Sequence, residues 1–312
     1  MEIPVYLFTG FLESGKTTFI SENLKDDEFI AGEKTLVIMC EEGLEEYEEV
    51  SLAGRNIDIV AVEEESQLTE EFLMGLENFY RPARILIEYN GMWKVQTISQ
   101  AMPENWNLIQ VITTIDTSTF DTYCKNMRSM VMDQVSMSDL VIFNRCEEDK
   151  PRASYRRSIK ATNAKAMIVF EDVFGRPIEA GEEDLPYDVN ADTIELRDEE
   201  FGIWYIDAME HPKKYIGKTI KTKAIVYRND KIPSNLFVPG RFAMTCCADD
   251  ITFIGFVCTY ADAHRLPVKA WVEVTAKIGY EYRKEYKQKG PVLYANEVKP
   301  ATQAKDRLIY FN

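Results

Sequence analysis

The feature that most constrains this chain is its first twenty residues. Ile3-Pro-Val-Tyr-Leu-Phe-Thr9 is a largely apolar run that leads into Gly10-Phe-Leu-Glu-Ser-Gly-Lys-Thr17. The pattern is G-x-x-x-x-G-K-T, set between a strand-like stretch and a helix-like one. Its two glycines let the backbone curl until successive N–H groups point at one centre. The next helix begins at that centre, and its free N–H groups and dipole favour an anion. A chain opening this way is committed to strand, phosphate-binding P-loop and helix, in that order. Gly10, Ser14, Gly15, Lys16, Thr17 and Thr18 are the expected nucleotide contacts. Lys16 should reach the outer phosphates, and the Thr17 hydroxyl should meet Mg²⁺.

The chain from there to about residue 170 repeats one theme. Thr35–Met39, Ile85–Glu88, Ile109–Ile115, Leu140–Phe143 and Ala166–Phe170 are apolar runs of the kind that buried parallel strands show. Ile57, Ile59 and Ala61 add an alternating strand, and Thr69 is placed to cap a helix carrying Phe72, Leu73, Leu76 and Phe79. Strands alternating with helical stretches predict βαβ units and a mostly parallel sheet. Ligands bind such sheets at the carboxyl ends of strands. Those ends carry Cys40-Glu41, Glu88-Tyr-Asn-Gly91, Asp116 and Asn144-Arg-Cys-Glu147. A carboxylate such as Glu88 beside a P-loop can hold Mg²⁺ or orient the attacking water.

These residues together resemble the CobW/HypB/UreG-type GTPases, CobW most closely. Gly10 to Thr18 looks like that family's G-F-L-G-A-G-K-T-T. Glu88-x-x-Gly91 matches its Walker B element, and Asp116 with Phe120 its V-D-A strand end. Gln134 followed by Ser138-Asp139-Leu-Val-Ile-Phe-Asn144 is similar to its Q…A-D-x-x-x-x-N run, and Asn163-Ala164 to its N-P-x-A turn. The resemblance covers roughly residues 1–175 and implies a P-loop NTPase that uses GTP and Mg²⁺. Its catalytic residues would be Lys16, Glu88 and Glu41, and its base-reading residues Asn144, Arg145 and Glu147.

Three departures qualify it. The guanine-reading N-K-x-D is Asn144-Arg145-Cys146-Glu147 here, so Glu147 is expected to replace the aspartate and Arg145 to stack on the purine. An ATPase stays open for that reason. The family's N-E-F-G is Cys40-Glu41-Glu42-Gly43, which keeps the carboxylate and adds a soft-ligand candidate. Its metal-binding C-x-C-C is missing, and Val62-Glu63-Glu64-Glu65 stands in its place. Thiolates select zinc or copper(I), whereas carboxylates suit harder ions. The metal candidates are therefore Thr17, Glu88, Glu41 and Cys40, joined by Glu45, Glu46 or the 63–65 run, with a transition metal as a further ligand and zinc left open.

Residues 176–200, acidic and carrying Pro177, Gly181 and Pro186, read as a linker. Beyond it, 201–312 opens with a short strand or helix. Runs at 219–227, 241–247, 252–258, 271–278 and 292–298 then suggest a small all-β, OB-like barrel. Arg241-Phe-Ala-Met-Thr-Cys-Cys-Ala-Asp249 resembles a segment in the soluble tail of YcgQ-like membrane proteins, which pair with a predicted permease. Cys246 and Cys247 could converge with Asp249, Asp250 or Cys258 on a metal.

The chain has 312 residues, room for about two domains. Its net charge of −16 argues against nucleic acid as a partner. The six cysteines form no C-x-x-C pair, no leader is expected ahead of the P-loop, and no apolar run approaches the roughly 20 residues of a membrane helix. A reducing, cytoplasmic setting is expected. The sequence thus predicts a GTPase whose turnover drives metal handling or remodelling of a metalloprotein client, acting in a nucleotide-dependent homodimer. The alternative is a nucleotide-sensing adaptor docked on a permease-like membrane protein.

Overall fold

The structure, a computed structural model, describes residues 2–41, 43, 47, 54–178, 185–229, 231–244 and 250–311. The chain divides into two compact units, Met1–Gly181 and Glu182–Asn312.

The first unit follows the apolar runs. In order come β1 (Ile3–Thr9), α1 (Lys16–Lys25), α2 (Asp27–Ile30), β2 (Thr35–Met39), β3 (Ile57–Ala61), α3 (Glu70–Tyr80) and β4 (Arg84–Glu88). Then come α4 (Val95–Ala101), β5 (Trp106–Asp116), α5 (Thr117–Ser136), β6 (Leu140–Asn144), α6 (Arg152–Thr162), β7 (Met167–Glu171) and β8 (Pro177–Ile178). The sheet order is β3-β2-β4-β1-β5-β6-β7-β8. Every pairing is parallel except β7 with β8.

Both faces of this sheet are covered, which explains why its strands read as unbroken apolar runs. Ile85 and Ile87 of β4 face one core with Leu73 and Ile98, while Leu86 between them faces another with Ile20 and Leu24. Thr69 caps α3 as expected, its hydroxyl accepting from Phe72 N–H at 3.2 Å. The register sets Glu88 beside Phe8 and Met39, and Asp116 beside Asn144. All the strand-end candidates are therefore brought to one edge of the sheet.

The second unit contains β9 (Thr193–Glu195), α7 (Phe201–Glu210), β10 (Thr219–Tyr227), β11 (Leu236–Met244), β12 (Ile251–Gly255), β13 (Cys258–Thr259), β14 (Trp271–Arg283), β15 (Gln288–Pro300) and β16 (Leu308–Tyr310). Pairing runs β10-β14-β15-β13-β11, and β11 returns to β10, so these five strands form a ring. Val272, Val274, Ala276 and Ile278 alternate as buried residues along β14, and Trp204, Phe237 and Phe256 are among the other buried side chains of this unit.

Two expectations change here. The run at 252–258 is two strands, because β12 and β13 pair with different stretches of β11 and the buried Phe256 and Val257 lie between them. Of the stretch expected as a linker, Pro177–Ile178 pair with β7, and Thr193–Glu195 pair with β10 through the buried Ile194. Cys246, Cys247 and Asp249 lie outside the described residues. Among the described residues no helix is long and apolar enough to cross a membrane.

Candidate nucleotide site

The P-loop leaves β1 and turns beneath the start of α1. Gly15 has φ +98°, and a Cβ there would stand 2.6 Å from Asn144 Nδ2. The loop can therefore approach the end of β6 only with glycine at this position. That approach is used: Asn144 Nδ2 donates to Ser14 O at 2.6 Å. Glu13 adopts φ +61° without being glycine. It stands where the family's loop carries a second glycine, and its carbonyl accepts from Arg145 Nη1 at 2.9 Å.

Lys16 is 3% exposed. Its ammonium donates to Gly10 O at 2.8 Å, Phe11 O at 2.9 Å and Glu41 Oε2 at 2.5 Å. Next to it, Thr17 Oγ1 donates to Glu88 Oε1 at 2.6 Å. The other oxygen of Glu88 accepts from Tyr47 OH at 2.5 Å. Lys16, Thr17, Thr18, Glu41, Glu88 and Arg145 all line one cleft. Burial pushes the Glu88 carboxyl up, and the nearby Glu41 adds to this. The hydrogen bonds from Thr17 and Tyr47, with the charge of Lys16, act against it.

Gly91 brings the segment after Glu88 against the P-loop, where a Cβ would sit 2.5 Å from Gly10 O. Asn90 Nδ2 donates to Cys40 O at 3.2 Å, and Cys40 N–H donates to Glu88 O at 2.8 Å. The ends of β2 and β4 are thus tied together. The Cys40 thiol is pushed up to about 12, first by burial and then by the charges of Glu88 and Glu41. It is therefore a protonated, enclosed thiol.

At the end of β6 the residue expected to stack on a base meets other partners within the protein. Arg145, with φ +52°, turns its guanidinium onto Asp116 Oδ2 at 2.5 Å as well as onto Glu13 O. It is held as a brace between the β5 end and the P-loop, because Asp116 offers it a charged acceptor. Burial would raise Asp116, but the bonds from Ser118 and Arg145 hold it below the usual carboxylate range. Asn144 Oδ1 is buried and has no partner within the protein. Glu147 is exposed at the lip of the loop.

The second acidic run is used locally. Glu64 and Gln67 cap a short turn, and Glu65 accepts from Thr97 Oγ1 at 2.6 Å and Lys94 N–H at 3.3 Å at the start of α4. Among the described residues no three His, Cys, Asp or Glu side chains are placed to hold a metal ion. Glu45 and Glu46 lie outside the described residues.

The site still fits a magnesium nucleotide on its own terms. It offers a hydroxyl and a carboxylate for a hard cation, a buried lysine, a glycine-dependent cradle and an unsatisfied buried amide oxygen at the end of β6. Sequence reasoning assigned no part to Tyr47, which belongs to no motif. It also gave no role to Gln134, which stood out only through the resemblance.

Two family models match this chain. The nucleotide-binding domain of CobW/HypB/UreG matches residues 4–170, and the DUF1980 C-terminal domain matches residues 179–311. No curated protein matches. Among solved structures, the chain is similar to a Zn(II)-bound triple mutant of the YjiA GTPase, at 18% identity and TM-score 0.43 over 72% of each chain. It is also similar to the hydrogenase maturation factor HypB from Archaeoglobus fulgidus, at 16% identity and TM-score 0.39, over 55% of this chain and 82% of that one. For the MinD cell division protein of Aquifex aeolicus the values are 15% and 0.33, over 56% and 88%. With its P-loop and the ends of β4, β5 and β6 gathered at one sheet edge, the chain belongs to the CobW/HypB/UreG family of P-loop GTPases.

Proposed function

We propose that the first unit binds GTP with Mg²⁺ and hydrolyses it, and that turnover drives metal handling or the remodelling of a metallocentre or client protein. One observation carries the reading: Lys16, Thr17, Glu41 and Glu88, distant in sequence, meet in a single cleft. Thr17 and Glu88 would hold Mg²⁺, with Glu41 in support. When bound, the ion neutralises charge on the phosphate oxygens. Lys16 and the P-loop amides stabilise the charge that develops as the terminal phosphoryl group is transferred to water. Glu88 also orients that water. Asn144 and Glu147 read the base, and Arg145 pins their loop to the P-loop.

The five-strand ring of the second unit supports an OB-like barrel, in which strands one and four are neighbours and strands three and five are parallel. That unit has its own core and its own family match, which favours a second reading. In it, the chain is a nucleotide-sensing adaptor that docks on a permease-like membrane partner. Cys40, Cys124, Cys146 and Cys258 are free, which accords with a reducing cytoplasmic setting.

Phosphate release from GTP with Mg²⁺, measured with and without micromolar Zn²⁺, Co²⁺ or Mn²⁺, tests the first reading. Stimulation or inhibition by one of these metals supports it. Very slow, metal-indifferent turnover with tight nucleotide binding supports the adaptor, and a GTP-against-ATP competition decides the base. Lys16→Ala should lower turnover at least about 100-fold. Retained turnover would place the chemistry elsewhere.

A further inference from the structure

Gln134 lies near the end of α5 and is 2% exposed. Its side-chain amide is engaged at both ends. Oε1 accepts from Gly10 N–H at 3.1 Å, and Nε2 donates to Trp93 O at 3.2 Å. One partner is a donor and the other an acceptor, so the orientation of the amide is fixed. The mount is rigid as well. The main-chain carbonyl of Gln134 accepts from the hydroxyls of Thr9 and Thr113, each at 3.1 Å, which fastens this turn of α5 to β1 and β5. The neighbouring Asp133 accepts from Val95 N–H at 3.1 Å, at the start of α4.

The amide therefore joins the first residue of the P-loop to the segment 91–94, which comes shortly after Glu88. Gly91 of that segment already abuts the backbone of Gly10 and Phe11. We propose that Gln134 is a positioning residue of the nucleotide site, setting the spacing between the P-loop and segment 91–94 so that the site distinguishes a nucleoside triphosphate from a diphosphate. This rests on the GTP-binding reading above. The P-loop grips the phosphates that the two nucleotides share, whereas the segment after the Walker B carboxylate meets the terminal phosphate alone. A segment already seated loses less freedom when that phosphate binds. Gln134 acts only through Gly10 and Trp93.

The test is a titration of the full chain, with Mg²⁺, by fluorescent GDP and by a fluorescent non-hydrolysable GTP analogue. Gln134→Met keeps the volume and removes both hydrogen-bonding groups. Affinity for the analogue should fall about five- to tenfold, while affinity for GDP stays within about twofold. Amide hydrogen exchange across residues 89–97 gives a readout independent of turnover. The analogue should slow it in the wild type and not in the variant. Equal losses for both nucleotides would reduce Gln134 to a structural residue and overturn the proposal, as would no change for either. Gln134→Asn keeps both groups and withdraws them by one methylene, so it serves if the methionine variant does not fold. Its loss should be smaller and confined to the analogue, and an equal loss for both nucleotides would overturn the proposal again. A wild-type chain that binds neither nucleotide would overturn the GTP-binding reading itself, and would do so before any variant is compared.

Discussion

Asp116 and Glu88 end neighbouring parts of one sheet edge, yet their surroundings push them in opposite directions. Glu88 is raised by burial, whereas Asp116 is held low by Ser118 and Arg145 against its own burial. A carboxyl lowered on folding contributes stability that is fully present above its unfolded value, near 4, and is lost as pH falls through the folded value. Asp116→Asn isolates this contribution, because asparagine still caps α5 through the Ser118 N–H that Asp116 now accepts at 2.8 Å. The melting temperature of the wild type should exceed that of the variant by a constant amount from pH 8 to about 5. The gap should close below about pH 4. A gap that widens toward acid would mean that the Arg145 pair is not what holds Asp116 low.

Elements were more legible than the contacts between them. β2, β4 and β6 could be read because a strand buried on both faces must be apolar throughout, and the α3 cap because Thr69 sits one residue before an amphipathic run. Thr69→Ala should cost about 1 kcal/mol in urea unfolding and leave nucleotide affinity unchanged. A loss of affinity would show that α3 reaches the site. The positions whose partners the sequence did not reveal share a cause. Glu65 looked like a metal candidate because it sits in an acidic run, but its partners, Thr97 and Lys94, are about thirty residues away and come near only through the β3–β4 crossover. Arg145 looked free to stack on a base because its acceptors, Asp116 at the end of β5 and Glu13 in the P-loop, are far from it in sequence. Local pattern fixes where a strand ends. Which side chain meets which across that edge depends on the sheet order, and a single sequence does not display that order.

At the scale of the whole chain the charge is divided unevenly. Residues 1–181 carry 32 acidic and 17 basic side chains, and residues 182–312 carry 20 and 19. The acidic surplus therefore belongs to the nucleotide-binding unit, and the second unit is close to neutral. Each unit also encloses its own buried core, so the boundary near residue 181 should be a boundary of cooperative unfolding. Calorimetry of the full chain should then show two transitions. A ligand that binds only one folded unit stabilises that unit by about 2.7 kcal/mol at a hundredfold excess over its dissociation constant. For a unit of this size that is a rise of about 5–10 °C. Saturating GDP with Mg²⁺ should therefore raise one transition by that amount and leave the other where it was. The isolated fragment 182–312 should melt at the temperature of the transition that does not move. A single transition that shifts as a whole would show that the two units unfold together, and the proposed domain division would fail.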